Sequence, residues 1–343
     1  MTQAEQSDIK VLQHQPGNEQ SSEAARVLFR PIIDEFWQAE LPKIKQLSNE
    51  TITSLVNERI GILPPHRIEI MLNGEVIANI PRQHYMFQAV LRLMEARDNF
   101  GSPLNIALVG PTGTGKTRMC INAAQALKEE FILQPFNPQT TKSELMGYMD
   151  ANGHYVESPF YKAFKNGKLF IADEFDAANP AVATVLNAAV SNRVITFPSG
   201  ETVTAHEEFR CVFCMNTFGT GGDDRYTGRN RLDLATLDRM VFVVIPIDPG
   251  LEAALIGIPD VPSPSADYDQ GEHFRDQKEI LNRVINIRGI IEKEGLRYSI
   301  SPRATIHSCA LHRAGFSKDW IEKTCIWRAM PDTERKRVEK LAA

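Results

Sequence analysis

At 343 residues, with 43% hydrophobic and 24% charged residues, the chain is long enough for one large globular unit or two modest ones. Its 38 Lys+Arg against 43 Asp+Glu leave a formal charge of -5, so no basic surface argues for nucleic acid as a partner. Five scattered cysteines (Cys120, Cys211, Cys214, Cys309, Cys325), no basic-then-apolar N-terminal segment and no apolar run near the ~20 residues of a membrane span predict a reducing cytoplasm and no membrane contact.

Residues 1–25 are rich in Gln and Ser and poor in apolar clusters, and read as a flexible tail. Apolar residues at helical spacing (Leu28, Ile32, Phe36, then Ile52, Leu55, Val56) predict two amphipathic helices within 27–60, separated at Pro42. Their apolar faces need a cover, and residues 26–81 are expected to dock a partner. RIEIMLNGEVIANI (67–80) alternates about Asn73-Gly74, the mark of a tight hairpin, and a helical pattern follows Pro81. From 82 to 248, apolar strands (NIALV, FILQPF, KLFIAD, FRCVFCMN, VFVVIPI) alternate with helices, which predicts a three-layer α/β fold around a parallel sheet. From 249 to 343 the pattern is helical: 251–258, a Pro/Ser/Asp linker at 259–270, a long helix near 272–294, and helices after Pro302 and near Trp320.

GPTGTGKT follows the first of those strands and opens a helix. Gly110, Pro111, Thr112, Gly113, Thr114 and Gly115 form the expected phosphate loop, whose glycines let backbone N–H groups face the phosphates; Lys116 would reach the β- and γ-phosphates and Thr117 would ligate Mg²⁺. KLFIADEFDAANP ends a buried strand in two carboxylates at the sheet edge where open α/β sheets place ligands. Asp173 is the expected metal residue and Glu174 the residue that activates a water against the γ-phosphorus; Asp176 is expected to be structural, capping the helix near Asn179-Pro180. Asn216, at the tip of FRCVFCMN, either holds that water from a second side or is an ordinary turn residue.

GPTGTGKT, the run from TTKSELMGYMDANGHYVESPF to FIADEFDAANP, CMNT, YTGRNRLDLATLDRM and SPRA stand in the order found in AAA+ ATPases. Over roughly 82–315 the chain resembles that family, and within it the MoxR and cobaltochelatase small-subunit (CobS-like) branch, including similar ATPases of tailed bacteriophages. The resemblance implies ATP and Mg²⁺ as cofactors, an ATPase core (82–248) under a helical lid (249–343), and a ring of identical subunits, six in number. Asn216 would be the first sensor, Arg303 the second sensor, and Arg239 the arginine finger, with Met240 where the family usually has Phe. It further implies a motor that remodels or activates a partner protein. Two alternatives stand beside it: an ATPase subunit of a cobalt or magnesium chelatase, working with a larger metal-binding-domain subunit, or a phage DNA-associated motor in the infected cell's cytoplasm.

RYTGRNRLDLATLDRM (225–240) holds four arginines in an acidic chain. Arg239 reads as a charge presented to a neighbour's ATP, whereas Arg225, Arg229 and Arg231 read as a solvated face paired to Asp223, Asp224 and Asp233. The hairpin expected at Gly147–Val156 presents Tyr148, Met149, His154 and Tyr155, either to grip a polypeptide or as a packed surface turn; a companion hairpin is expected at 198–200. Cys211 and Cys214 would face opposite sides of one strand and so serve as core thiols. His307, Cys309 and His312 read as packing or surface residues, and His84 as an adenine-pocket wall or a buried helix position.

Overall fold

A sheet whose strands are apolar at every position is stable only when both of its faces are covered. Five parallel strands form one sheet in the order β11-β3-β10-β7-β4, namely β3 (Ile106–Val109), β4 (Phe131–Pro135), β7 (Leu169–Asp173), β10 (Arg210–Met215) and β11 (Val241–Val244), and its three inner strands are buried almost throughout while the edge strands β4 and β11 are partly exposed. Successive side chains divide strictly between faces. Ala107, Val109, Phe170, Ala172, Cys211 and Phe213 enter one core, while Ile106, Leu108, Leu169, Ile171, Val212 and Cys214 enter the other.

The computed structural model describes residues 68–72, 75–80, 82–222, 225–258, 272–328 and 330–342, all within one unit, Ile62–Ala343. The expected tail at 1–25, the helices of 27–60, Asn73-Gly74, Asp223, Asp224 and the linker at 259–270 lie outside the described residues. β1 (Ile68–Leu72) and β2 (Glu75–Ile80) pair antiparallel as expected, with a register shift between Ile70 and Met71.

One core packs α1 (Phe87–Glu95) and α2 (Lys116–Leu127) against the sheet. The other takes α3 (Lys142–Met146), α4 (Pro159–Asn166) and α5 (Pro180–Asn192), and is built around aromatic rings, with Phe160 contacting Phe164, Phe170, Phe197 and Phe209 at 5.2 to 6.3 Å. Two short hairpins leave this layer: β5 (Tyr148–Met149) with β6 (Tyr155–Val156), and β8 (Val194–Thr196) with β9 (Thr202–Thr204). Both were expected from their turns.

α6 (Leu234–Leu237) precedes β11, the last strand of the sheet, and from there the chain is helical: α7 (Pro249–Leu255), α8 (Glu272–Lys293), α9 (Pro302–Arg313), α10 (Lys318–Ile321), a wider π turn (Glu322–Trp327) and α11 (Asp332–Ala342). The last helix has no counterpart in the sequence reading. Its run DTERKRVEKLA buries only Val338, so apolar periodicity gave no signal. Glu252 of α7, fully buried, receives both terminal nitrogens of Arg288 of α8 at 2.9 Å and the hydroxyl of Thr305 of α9. Three helices are thereby tied at one carboxylate.

Truncating one side of such a buried pair strands the other charge. Arg288→Met is expected to lower unfolding stability by about 3 to 5 kcal/mol in a denaturant titration, and the double change Glu252→Leu/Arg288→Met to recover most of that loss. A double variant as weak as the single one would show that the tie contributes packing rather than charge pairing.

Candidate functional site

The strand order reverses at β3, between β10 and β11, and an open α/β sheet forms its ligand crevice at such a point. The loop after β3 occupies that crevice. Gly113 and Gly115 both take left-handed backbone, φ 82° and 91°, which a side chain would resist, and α2 starts directly behind them. A Cβ at Gly110 would collide with the carbonyl of Ile245, and one at Gly113 would lie 2.8 Å from the Ser301 Cβ. The second contact seats the first turn of α9 on the loop.

A cavity of about 250 Å³ opens over this loop. Lys116, Thr117, Asp173, Glu174, Asn216 and Arg303 all line it, together with Thr112, Gly113 and Gly115. Lys116 is buried, and its ammonium donates to the carbonyls of Gly110 and Pro111 at 2.7 and 2.9 Å and to the Asn216 Oδ1 at 3.0 Å. Burial lowers its pKa to about 8. The Thr117 hydroxyl donates to Asp173 Oδ1 at 2.9 Å. That places two oxygen donors together beside the phosphate loop, the donor type a hard divalent cation takes, so the residues fit Mg²⁺.

Glu174 follows Asp173 with φ 53° and ψ 35°, a left-handed seat uncommon for a residue with a side chain. This turn carries its side chain out of the strand's alternation, and the carboxylate is 56% exposed at the cavity. Asn216 is held from behind. Asp176, fully buried, accepts through Oδ2 from the amides of Asn216 and Thr217 and from the Thr217 hydroxyl, at 2.9 to 3.1 Å.

Asp176 therefore does not cap α5 as expected: the cap is Asn179, whose side chain accepts from the Ala181 amide. The expected pairing is corrected for Arg229. Arg229 reaches inward, 11% exposed, with its Nη1 3.3 Å from Glu174 Oε2 and 3.4 Å from Asp176 Oδ1. Arg225 donates to the Leu296 carbonyl at 3.1 Å. The Tyr226 hydroxyl accepts from the Thr112 amide at 3.1 Å, so this segment touches the phosphate loop directly. Asp233 caps α6 by accepting from the Ala235 amide. Sequence reasoning missed Arg229 and Tyr226 because the segment is aperiodic and its partners lie far away in the chain.

Arg239 lies elsewhere. It is exposed, and no carboxylate among the described residues is within ion-pair distance of it. It precedes β11, whose first residue, Val241, pairs with Ile106 at the start of β3; the phosphate loop follows the other end of β3. Met240 is buried in the aromatic core.

A second cavity, of about 390 Å³, shares Gly115 and Arg118 with the first. His84, Met119, Asn122, Leu251 and Leu255 wall it. His84 lies in the turn before α1 rather than on a helix. Its Nδ1 accepts from the Met86 amide, so Nε2 carries the proton donated to the Pro246 carbonyl at 2.9 Å; burial lowers its pKa, consistent with a neutral ring.

In the first hairpin Tyr148 and Met149 stand about half exposed, while Tyr155 turns in, donating to the Met146 carbonyl at 2.6 Å and packing on Tyr161. Cys211 and Cys214 are buried on opposite faces of β10, and no group of three or more His, Cys, Asp or Glu side chains placed to hold a metal ion occurs among the described residues. Cys309 is buried, and His312 lies 3.6 Å from Asp276. No helix among the described residues is long and apolar enough to cross a membrane.

Residues 105–240 match the family described as AAA domain, dynein-related subfamily, so that stretch, which holds four of the five parallel strands and the loop after β3, is similar to an AAA domain. An uncharacterised protein of Staphylococcus aureus strain USA300 is 28% identical over 176 residues, covering 48% of this chain and 64% of its own. One from Staphylococcus epidermidis is 27% identical over 164 residues, covering 45% and 59%. The chain thus spans less than two thirds of these relatives. Among solved structures, a candidate ATPase from Cytophaga hutchinsonii overlays with TM-score 0.38 at 17% identity, covering 75% of this chain and 88% of its own. NtrX from Brucella abortus overlays with TM-score 0.39 at 15% identity, covering 82% and 56%.

Proposed function

We propose that this chain is an ATP-hydrolysing subunit of a six-membered ring of the MoxR and CobS-like type, which uses nucleotide turnover to remodel a partner protein. The observation that carries the reading is the division of the polar and charged groups: Lys116, Thr117, Asp173, Glu174, Asn216 and Arg303 share one cavity, while Arg239 stands exposed outside it.

The phosphates would lie on the loop amides. Their negative charge would draw the Lys116 ammonium from the two carbonyls it now touches, since a phosphate oxygen is the stronger partner for a buried cation. The base would enter the second cavity, between His84 and the leucines of α7. Thr117 and Asp173 would hold Mg²⁺, which supplies neutralisation of charge on the β- and γ-phosphates. Glu174 accepts the proton of the attacking water, and Asn216, fixed through Asp176, orients that water from a second side. Arg303, at the start of α9, ties the γ-phosphate to the helical region, so that loss of the phosphate frees those helices to move. Arg239 completes the pocket of the next subunit.

Such a pocket exists only between chains. Turnover per chain is therefore expected to rise steeply with protein concentration, in step with the appearance of the ring in sedimentation velocity with ATP. Full turnover by a monomer at every concentration would overturn the ring reading and leave only an isolated ATPase.

A further inference from the structure

The segment from Arg225 to Leu232 is anchored at the catalytic turn by more than the arginine. The Asn230 amide donates to the Asp176 carbonyl at 2.8 Å, the Asn230 side chain to the carbonyls of Ala177 and Ala178, and the Leu232 amide to the Gly219 carbonyl. Arg229 emerges from this anchored stretch with its guanidinium between two carboxylates of opposite character. Asp176 is fully buried, and its Oδ1, which accepts no hydrogen bond, has Arg229 as its ion partner. Glu174 is more than half exposed and has one contact to the same nitrogen. The guanidinium is thus fixed on its buried side, and the exposed acid rests against it.

We propose that Arg229 is a positioning residue: anchored by Asp176, it holds the Glu174 carboxylate at the cavity and fixes its place relative to Asn216, which the same Asp176 secures through the other oxygen. An exposed glutamate otherwise spreads over several rotamers, and only a fraction of them can take a proton from a water at the γ-phosphorus. Arg229 restricts that spread without touching the nucleotide. The inference rests on the ATPase reading, in which Glu174 receives the proton.

The test is a double-mutant cycle on the full chain with ATP and Mg²⁺, combining Arg229→Lys and Arg229→Gln with Glu174→Gln. Arg229→Gln alone is expected to lower kcat roughly tenfold, and Arg229→Lys by less. KM, and the affinity for a fluorescent ATP analogue measured by equilibrium titration, should stay within about twofold. The Arg229→Lys protein should retain part of the activity that Arg229→Gln loses, since a point charge can meet one carboxylate but not bridge two. In the Glu174→Gln background, measured by single turnover, changing Arg229 should cost nothing further, because the group it positions is gone.

An equal additional loss in that background, an effect confined to KM, or an unchanged or raised kcat would overturn the proposal. Arg229→Lys retains a cation for the buried Asp176, so the cycle remains readable if Arg229→Gln fails to fold. If Glu174→Gln itself turns over like the parent protein, the underlying reading falls. If Glu174→Gln is inactive while the Arg229 variants match the parent, only the positioning role falls.

Discussion

Arg239→Ala is expected to lower ATP turnover by roughly 10³- to 10⁵-fold, the range over which a guanidinium stabilises the charge of a transferring phosphoryl group. ATP affinity should change little, because in its own chain this arginine lies outside the cavity, beyond the opposite end of β3 from the phosphate loop. The informative experiment is a mixture. Lys116→Ala subunits lack a phosphate ligand but carry the arginine, and Arg239→Ala subunits have the reverse defect. Mixed rings contain interfaces where an intact site meets an intact arginine, and these should recover a measurable part of the activity. Confirmed mixed rings without any recovery would count against action between subunits.

Glu174→Gln should bind ATP and assemble as the parent does, yet hydrolyse it roughly 10²- to 10⁴-fold more slowly, the usual contribution of a positioned general base. Gln is nearly the same size, so the Asp173–Thr117 pair and the Lys116 contacts should survive. The measurement is single-turnover hydrolysis beside equilibrium ATP binding. Parent-like turnover would remove Glu174 from its role; lost binding would mean the residue supports the phosphate cradle instead. A chain that binds without release should also keep hold of any partner whose affinity depends on the ATP state.

The contrast between the phosphate loop and Arg229 shows what a linear chain can reveal. The loop was legible because its determinants are local: left-handed backbone at Gly113 and Gly115, an apolar strand before them and an amphipathic helix after. Asp173 was legible as the end of a strand whose alternating residues enter two cores. Asp176 was misassigned within its own turn, since the nearest helix start offered a cap while its real partners, the amides of Asn216 and Thr217, come from another strand. Arg229 lay further out of reach, 55 residues from the acid it meets and in a stretch with no period. The short hairpin of Tyr148–Met149 and Tyr155–Val156 sits between these cases: its turn was readable, but two-residue strands are too brief for alternation to tell that Tyr155 points in.

The backbone at Glu174 has a consequence for how this protein can lose its chemistry. Asn and Gly adopt φ 53° more comfortably than Glu does, by roughly 1 kcal/mol, so either of these two replacements would remove the acid while easing the backbone at this turn. A descendant that kept the loop, the sheet and the helices but carried Asn at this turn would fold at least as well and still clasp ATP. On the proposed reading it would hold nucleotide without cleaving it, and a stability measurement would show no loss to mark the change.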